Sequence, residues 1–216
     1  MKKRKLTGAE IIWECLIREG VEVVFGYPGG AILPTYDALS KYSDSVHHVL
    51  TRHEQGATHM ADGYARASGK VGVAIATSGP GAANMITGLA TAMMDSSPIV
   101  CITGQVPRPA IGSDAFQEMD ISGAVIPVTK HSYLIMEIKD LAKTIKEAFA
   151  IARSGRPGPV LIDIPKDLQA EEFGFVYPEE KVTIPGKNPI KSDISSVDLD
   201  SAVKMIADAK KPVILA

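Results

Sequence analysis

Cysteine is scarce: only Cys15 and Cys101 occur in 216 residues. The pair forms no CxxC and no metal-ligand spacing, which excludes a disulfide framework and a cysteine-rich zinc site. Both lie inside apolar segments, so buried free thiols in a reducing compartment are expected. No stretch approaches the roughly 18 apolar residues of a membrane-spanning helix. The basic start, Met1-Lys2-Lys3-Arg4-Lys5, runs into Glu10, Glu14, Arg18 and Glu19 rather than the apolar core of a secretory signal. A soluble, cytoplasmic protein without a membrane partner is the expectation. An excess of charge is also missing: 23 Lys and Arg stand against 25 Asp and Glu. Neither a basic surface for nucleic acid nor an acidic tail is present. His47, His48, His53, His59 and His131 show no metal-ligand spacing, so no metal site is expected among these residues.

What remains is an ordinary globular composition, 45% hydrophobic and 22% charged. The length suits one full α/β domain and part of a second. Thr7-Gly8-Ala9-Glu10 has capping-box spacing, and Ile11, Ile12, Cys15 and Leu16 follow at helical spacing up to Gly20. Apolar runs then alternate with helical segments. Strands are predicted over 21–25, 46–51, 71–77, 99–103 and 160–164. Helices are predicted over 31–41, 54–68, 82–94 and 140–153, with Gly69 and Gly155 as stops. Strands apolar on both faces, separated by helices, imply a doubly wound parallel sheet in a three-layer α/β/α arrangement. From Glu171 to about residue 195, Pro178, Pro185, Gly186 and Pro189 interrupt the periodicity, which reads as a linker. A helix is predicted over 196–208, and 211–216 reads as the start of a strand. A bare apolar strand at that point suggests a piece of a longer protein.

In doubly wound sheets, ligands sit beyond the carboxyl ends of the strands. Those ends carry Gly26-Tyr27-Pro28-Gly29-Gly30, Arg52-His53-Glu54-Gln55, Thr77-Ser78-Gly79-Pro80-Gly81 and Gly104-Gln105-Val106-Pro107. By itself Glu54 is a carboxylate at a helix N-terminus, where the macrodipole favours it. Its helix, however, is built on Gly56, Ala57, Ala61, Gly63, Ala65 and Ala67, and small residues admit a second backbone or a flat ligand. The glycine turn at 79–81 lacks the third glycine of a dinucleotide fingerprint, with Asn84 in its place, and Pro80 removes a backbone donor. Asp114-Ala115-Phe116-Gln117-Glu118 is either a plain surface loop or, with an apolar ring beside an amide, a channel wall.

Taken in order, these segments resemble the thiamine-diphosphate enzymes, and within them the acetolactate synthase large subunits. The resemblance rests on Phe25 to Ala31, Arg52 to Ala57, Asp62 to Ala67, Thr77 to Gly81, Gly104 to Pro107, Asp114 to Glu118, Gly155 to Val160 and Pro165-Lys166-Asp167. It implies a pyrimidine-binding domain over 1–170, a linker over 171–195 and the start of a central, FAD-associated domain over 196–216. It further implies that Glu54 hydrogen-bonds ring nitrogen N1′ of thiamine diphosphate and that Gln117 acts beside it. Tyr27, Pro28, Gly29, Thr77, Pro80 and Asn84 would line the cofactor, Arg156 would contact FAD, and Phe116 and Lys166 would face the substrate channel. The implied reaction decarboxylates pyruvate and joins the two-carbon unit to a second 2-oxo acid. Acetolactate or acetohydroxybutyrate results, on the route to isoleucine, valine and leucine. The Gly-Asp-Gly…Asn motif for diphosphate and Mg²⁺ is absent from these residues. The resemblance therefore implies a homodimer with the site shared between subunits, a possible small regulatory subunit, and no activity for residues 1–216 alone. Two other readings stand beside it: another thiamine-diphosphate decarboxylase or oxidase of 2-oxo acids, and a non-catalytic nucleotide-binding module.

Overall fold

A computed structural model describes residues 4–184 and 196–213. In chain order the elements are β1 (Arg4–Thr7), α1 (Gly8–Arg18), β2 (Val23–Gly26), α2 (Leu33–Leu39), β3 (His47–Leu50), α3 (Glu54–Ser68), β4 (Gly72–Ala76), α4 (Pro80–Asn84), α5 (Ile86–Met94), β5 (Ile99–Gln105), α6 (Ile121–Ala124), β6 (His131–Leu134), α7 (Ile138–Arg153), β7 (Val160–Pro165), α8 (Lys166–Ala170) and β8 (Glu172–Phe175). A last helix, α9 (Ser196–Asp208), belongs to a second unit, Pro185–Ala216. Its Val197, Leu199, Val203, Met205 and Ile206 are exposed. Residues 214–216 of the predicted strand at 211–216 and residues 185–195 of the predicted linker lie outside the described residues.

Local chemistry sets the first helix. Thr7 Oγ1 accepts from the Glu10 N–H at 3.2 Å, and the Glu10 carboxylate accepts from the Thr7 N–H at 2.9 Å. That reciprocal box satisfies two N–H groups the helix itself leaves open. Helix α3 ends at Gly69, whose φ of +70° suits a residue without a Cβ.

The central sheet has six parallel strands in the order β3-β2-β4-β5-β7-β6. Residues on β4 alternate in role. Val73 and Ile75 join the core on the side of α1, α2 and α7, while Ala74 and Ala76 join the core under α3 and α5. The alanine face fits because α3 comes very close: a Cβ on Gly72 would stand 2.0 Å from the Ala61 carbonyl oxygen. Likewise a Cβ on Gly88 of α5 would stand 2.5 Å from the Thr58 Cβ. Two separate cores on the two faces of one sheet make the three-layer α/β/α fold expected from the sequence.

Several elements differ from the sequence reading. Residues 172–175, at the head of the predicted linker, form β8, which pairs antiparallel with β1 from Arg4↔Phe175 to Thr7↔Glu172. Four-residue strands give a period-two signal too short to read, and their partners lie far apart in sequence. Strand β6 was missed for the same reason. The single helix predicted over 82–94 is two, joined where the Met85 N–H bonds the Ala82 carbonyl in a tighter turn.

Chain order along the sheet locates the site. From β2 the chain moves outward to β3, then returns to β4 on the other side of β2. The direction reverses between β2 and β4, and the connections leaving their carboxyl ends diverge there to leave a crevice.

Candidate active site

Two turns border that crevice, 26–31 after β2 and 77–81 after β4. Thr77 ties them together. Its Oγ1 accepts from the Ala31 N–H at 3.0 Å, and its methyl lies 2.5 Å from where a Cβ on Gly29 would stand. On the far side, the same methyl lies 2.7 Å from the Cβ position of Gly81. Any side chain at 29 or 81 would separate the turns, so both glycines are set by close approach.

Glu54 starts α3 beside this junction and is only 7% exposed. The side chain of His53, just ahead of it, accepts from the Gln55 N–H at 3.1 Å and caps the helix. Of the Glu54 carboxyl oxygens, Oε2 accepts from Asn84 Nδ2 at 2.9 Å. The other, Oε1, lies 3.1 Å from the Cβ position of Gly81, so the missing side chain is what leaves that oxygen approachable. Asn84, which breaks the dinucleotide pattern in the sequence, thus has its own use: it orients the carboxylate. On the side of β3, Tyr36 Oη and His48 Nε2 lie 3.2 Å apart. Burial, with a smaller contribution from the Glu54 charge, pushes the Tyr36 phenol up. Burial pulls the His48 ring below its ordinary value.

The loop at 106–120 closes another side. Arg108 donates to Asp167 at 2.7 Å, to Glu171 at 2.8 Å and to the Met136 carbonyl at 3.0 Å. The Glu118 carboxylate accepts from the N–H groups of Gly112 and Ala115, and these bonds hold it below the usual carboxylate range. The loop then folds back so that the Gln117 carbonyl oxygen lies 2.4 Å from the Cβ position of Gly79. Phe116 stands outward at 88% exposure. Tyr27, after β2, and Leu50, at the end of β3, are likewise exposed.

Of the residues singled out in the sequence, Gly29, Glu54, Thr77 and Asn84 come together through the contacts above. Pro28 is partly exposed and Tyr27 exposed on the same turn. Pro80 is exposed at the start of α4, and Gln117 reaches the cluster through its backbone. Lys166 follows β7 at the same sheet edge, with β4 and β5 between that strand and β2. Arg156 is not brought to this edge. It precedes β7, and its guanidinium donates to Ser96 Oγ at 2.7 Å and to the Met94 carbonyl at 2.8 Å, fastening the end of α5.

One residue escaped the sequence reading. Asp163, 1% exposed in the middle of β7, accepts from Thr103 Oγ1 at 2.7 Å and from Gln105 Nε2 at 2.8 Å. Burial pushes its carboxyl up to about 7, against the pull of those two bonds and with a small push from Asp120. A lone Asp inside Val160-Leu161-Ile162-Asp163-Ile164 was the available signal, because a carboxylate in an apolar strand needs a reason. Among the described residues no group of three or more His, Cys, Asp or Glu could hold a metal ion. No helix among them is long and apolar enough to cross a membrane.

A buried carboxylate with one oxygen oriented and the other left open, set at the direction change of a parallel sheet, defines the class: one wall of an α/β ligand site. Residues 6–124 match the family described as "Thiamine pyrophosphate enzyme, N-terminal TPP binding domain", and the chain belongs to that family. It is 53% identical over 211 residues to the acetolactate synthase large subunit of Parasynechococcus marenigrum, covering 97% of this chain and 34% of that protein. To the probable acetolactate synthase large subunit of Methanocaldococcus jannaschii it is 52% identical, covering 98% of this chain and 36% of the relative. The acetolactate synthase large subunit of Corynebacterium glutamicum is 51% identical, at 97% and 33%. The chain spans about a third of the length of these relatives.

Proposed function

We propose that this chain supplies the aminopyrimidine-binding half of a thiamine-diphosphate site in an acetolactate synthase. The observation that carries the reading is Glu54: buried, oriented by Asn84 through Oε2, and open at Oε1 across Gly81. A flat ring with a basic nitrogen fits that opening, because no Cβ stands between Oε1 and the crevice. Thiamine diphosphate, when bound, supplies the carbon centre that attacks the 2-oxo acid and stabilises the charge left by decarboxylation. Glu54 shares a proton with the ring nitrogen and so sets which tautomer the ring adopts. Asn84 keeps the carboxylate from turning away. Thr77 and the 26–31 turn would give the ring a rigid backbone floor. The 2-oxo acids would enter past Phe116 and Lys166.

The rest of the reading extends the resemblance. Carboligation of pyruvate with a second 2-oxo acid, for branched-chain amino-acid synthesis, would belong to a polypeptide of the relatives' length, and residues 1–216 alone would be inactive. Diphosphate and Mg²⁺ would be held outside these residues. FAD would be held mostly outside these residues, with Arg156 as its contact on this chain. A second copy would complete the site. Gly56, Met60 and Gly63 lie at helical spacing along α3; Met60 is exposed, and the Cβ positions of both glycines open onto free space. That face suits close helix packing. The buried free thiols of Cys15 and Cys101 are in keeping with a cytoplasmic protein.

Glu54→Gln in the full-length polypeptide tests the assignment. The amide keeps the shape but cannot share the proton, so acetolactate formation from pyruvate should fall by about 10²–10⁴-fold with the fold intact. Full activity would refute the reading. Product analysis for acetaldehyde or peroxide in the parent enzyme separates acetolactate synthase from other thiamine-diphosphate enzymes acting on 2-oxo acids.

A further inference from the structure

We propose that Gln105 and Asp163 are positioning residues for the site: together they fix the loop that presents Phe116 and Gln117 to the crevice. The functional half of this inference rests on the reading above; the structural half does not.

An apolar side chain would fill the place of Asp163 in β7 at lower cost, because an ionised or unpaired carboxyl in a core is expensive. Its partners are neutral: Thr103 Oγ1 on one oxygen and Gln105 Nε2 on the other. What the carboxyl achieves is visible one residue further on. Gln105 Nε2 uses its two hydrogens on Asp163 Oδ2 at 2.8 Å and on the Met119 carbonyl at 2.9 Å, while Oε1 accepts from the Val106 N–H at 2.8 Å. All three bonds agree on one amide orientation, and Asp163 removes the flipped alternative. The pair therefore clamps Val106 at the start of the loop and Met119 at its end in a single side-chain network.

The loop between those points needs such fixing. Asp114 and Gln117 have φ of +55° and +59°, a left-handed region that non-glycine residues enter at a cost. Residues keep such conformations where the surroundings over-determine them. Here the surroundings are Arg108 on Asp167, Glu118 on two loop N–H groups, Gly79 against the Gln117 backbone, and the Gln105 clamp. Among these, the Gln105 clamp is anchored in the buried core, so it sets the loop relative to the sheet.

Hydrogen exchange on this chain at pH 8 tests the clamp without cofactor or substrate. Three variants are compared: Gln105→Leu, Asp163→Leu and Thr103→Val. Gln105→Leu and Asp163→Leu remove one side of the Gln105–Asp163 bond and should speed exchange of the 112–119 amides by about tenfold or more. Thr103→Val removes the other donor to Asp163 and should leave those amides unchanged. A fourth variant, Asp163→Asn with Gln105→Glu, restores a donor–acceptor pair between the two positions. It leaves no N–H for Met119, so its loop should stay fast while the β5 and β7 amides recover. Unchanged loop exchange in Gln105→Leu, or equal loop exchange in Thr103→Val and Asp163→Leu, would overturn the proposal. In the full-length polypeptide, Gln105→Leu should lower kcat about tenfold or more with a smaller change in KM. A fast loop with full kcat would overturn the functional half. Glu54→Gln is read separately, so an error about the cofactor and an error about the clamp give different results.

Discussion

Replacing Gly79 with alanine probes the joint between the 77–81 turn and the 106–120 loop. Gly79 has φ +55° and ψ −118°, a region open to glycine and strained for any residue with a Cβ by about 1–3 kcal/mol. The added methyl would also stand 2.4, 2.8 and 2.9 Å from the O, C and Cα of Gln117. These are backbone atoms in a loop held at both ends, so they cannot swing aside as a side-chain tip would. To reach ordinary contact at 3.4 Å, the Gln117 backbone must retreat by about 1 Å. Gly69→Ala is the control: φ there is +70°, yet nothing lies within 4 Å of the new methyl. It should show left-handed strain alone, about 1 kcal/mol. Urea unfolding should therefore give a larger loss for Gly79→Ala than for Gly69→Ala, and only Gly79→Ala should speed exchange of the 112–119 amides. In the full-length polypeptide, a displacement of that size at Gln117 should cost about 100-fold in turnover. Equal stability losses for the two variants, with loop exchange unaltered in both, would refute the reasoning.

Asp163 should leave a mark on the pH dependence of stability. Its folded value of about 7 lies above the ordinary 3.8, so the folded chain holds this proton more tightly than the unfolded one. The stabilisation is present below about pH 4 and is lost as pH rises through 7. At about 1.4 kcal/mol per unit, Asp163→Asn should gain on the parent by about 3 kcal/mol between pH 5 and pH 8. A constant gap in urea unfolding across that range would contradict it. Arg156→Ala removes the guanidinium from Ser96 and the end of α5. It should cost about 1 kcal/mol and lower Tm by about 2–4 °C. A loss beyond about 3 kcal/mol would mean that Arg156 holds more than the helix end.

The parallel sheet was legible because each of its long strands is apolar on both faces and the helices over 54–68 and 140–153 have glycine stops. Glu54 was legible for a related reason. Its helix is nearly all small on the sheet side, which marks a backbone that comes close to something. The β1–β8 pair was not legible, since Phe173 and Phe175 alternate over too few positions and their partners lie about 170 residues away. Nor was the link from Asp163 to Gln105, 58 residues apart. Each residue looks odd in its strand, but only the parallel register of β5 on β7 reveals that one oddity answers the other. Asn84 was noted as a missing glycine, and its bond to Glu54 follows from the turn geometry that places α4 over the start of α3.

One bond has a bearing on how the chain is made. Gln169 donates from Nε2 to the Ala31 carbonyl at 2.9 Å and from the same nitrogen to the Ile164 carbonyl at 3.0 Å, joining positions 138 residues apart. Its Oε1 accepts from Thr35 Oγ1, and the Thr35 carbonyl accepts from the buried Trp13 indole. The earliest turn of the crevice is thus finished by one of the last residues of the domain to leave the ribosome. At about 5–20 residues per second, the Gly29–Ala31 turn waits about 7–28 seconds for that partner. Until then the nascent polypeptide has Glu54 and its glycines in hand but no settled floor on which a ring could rest.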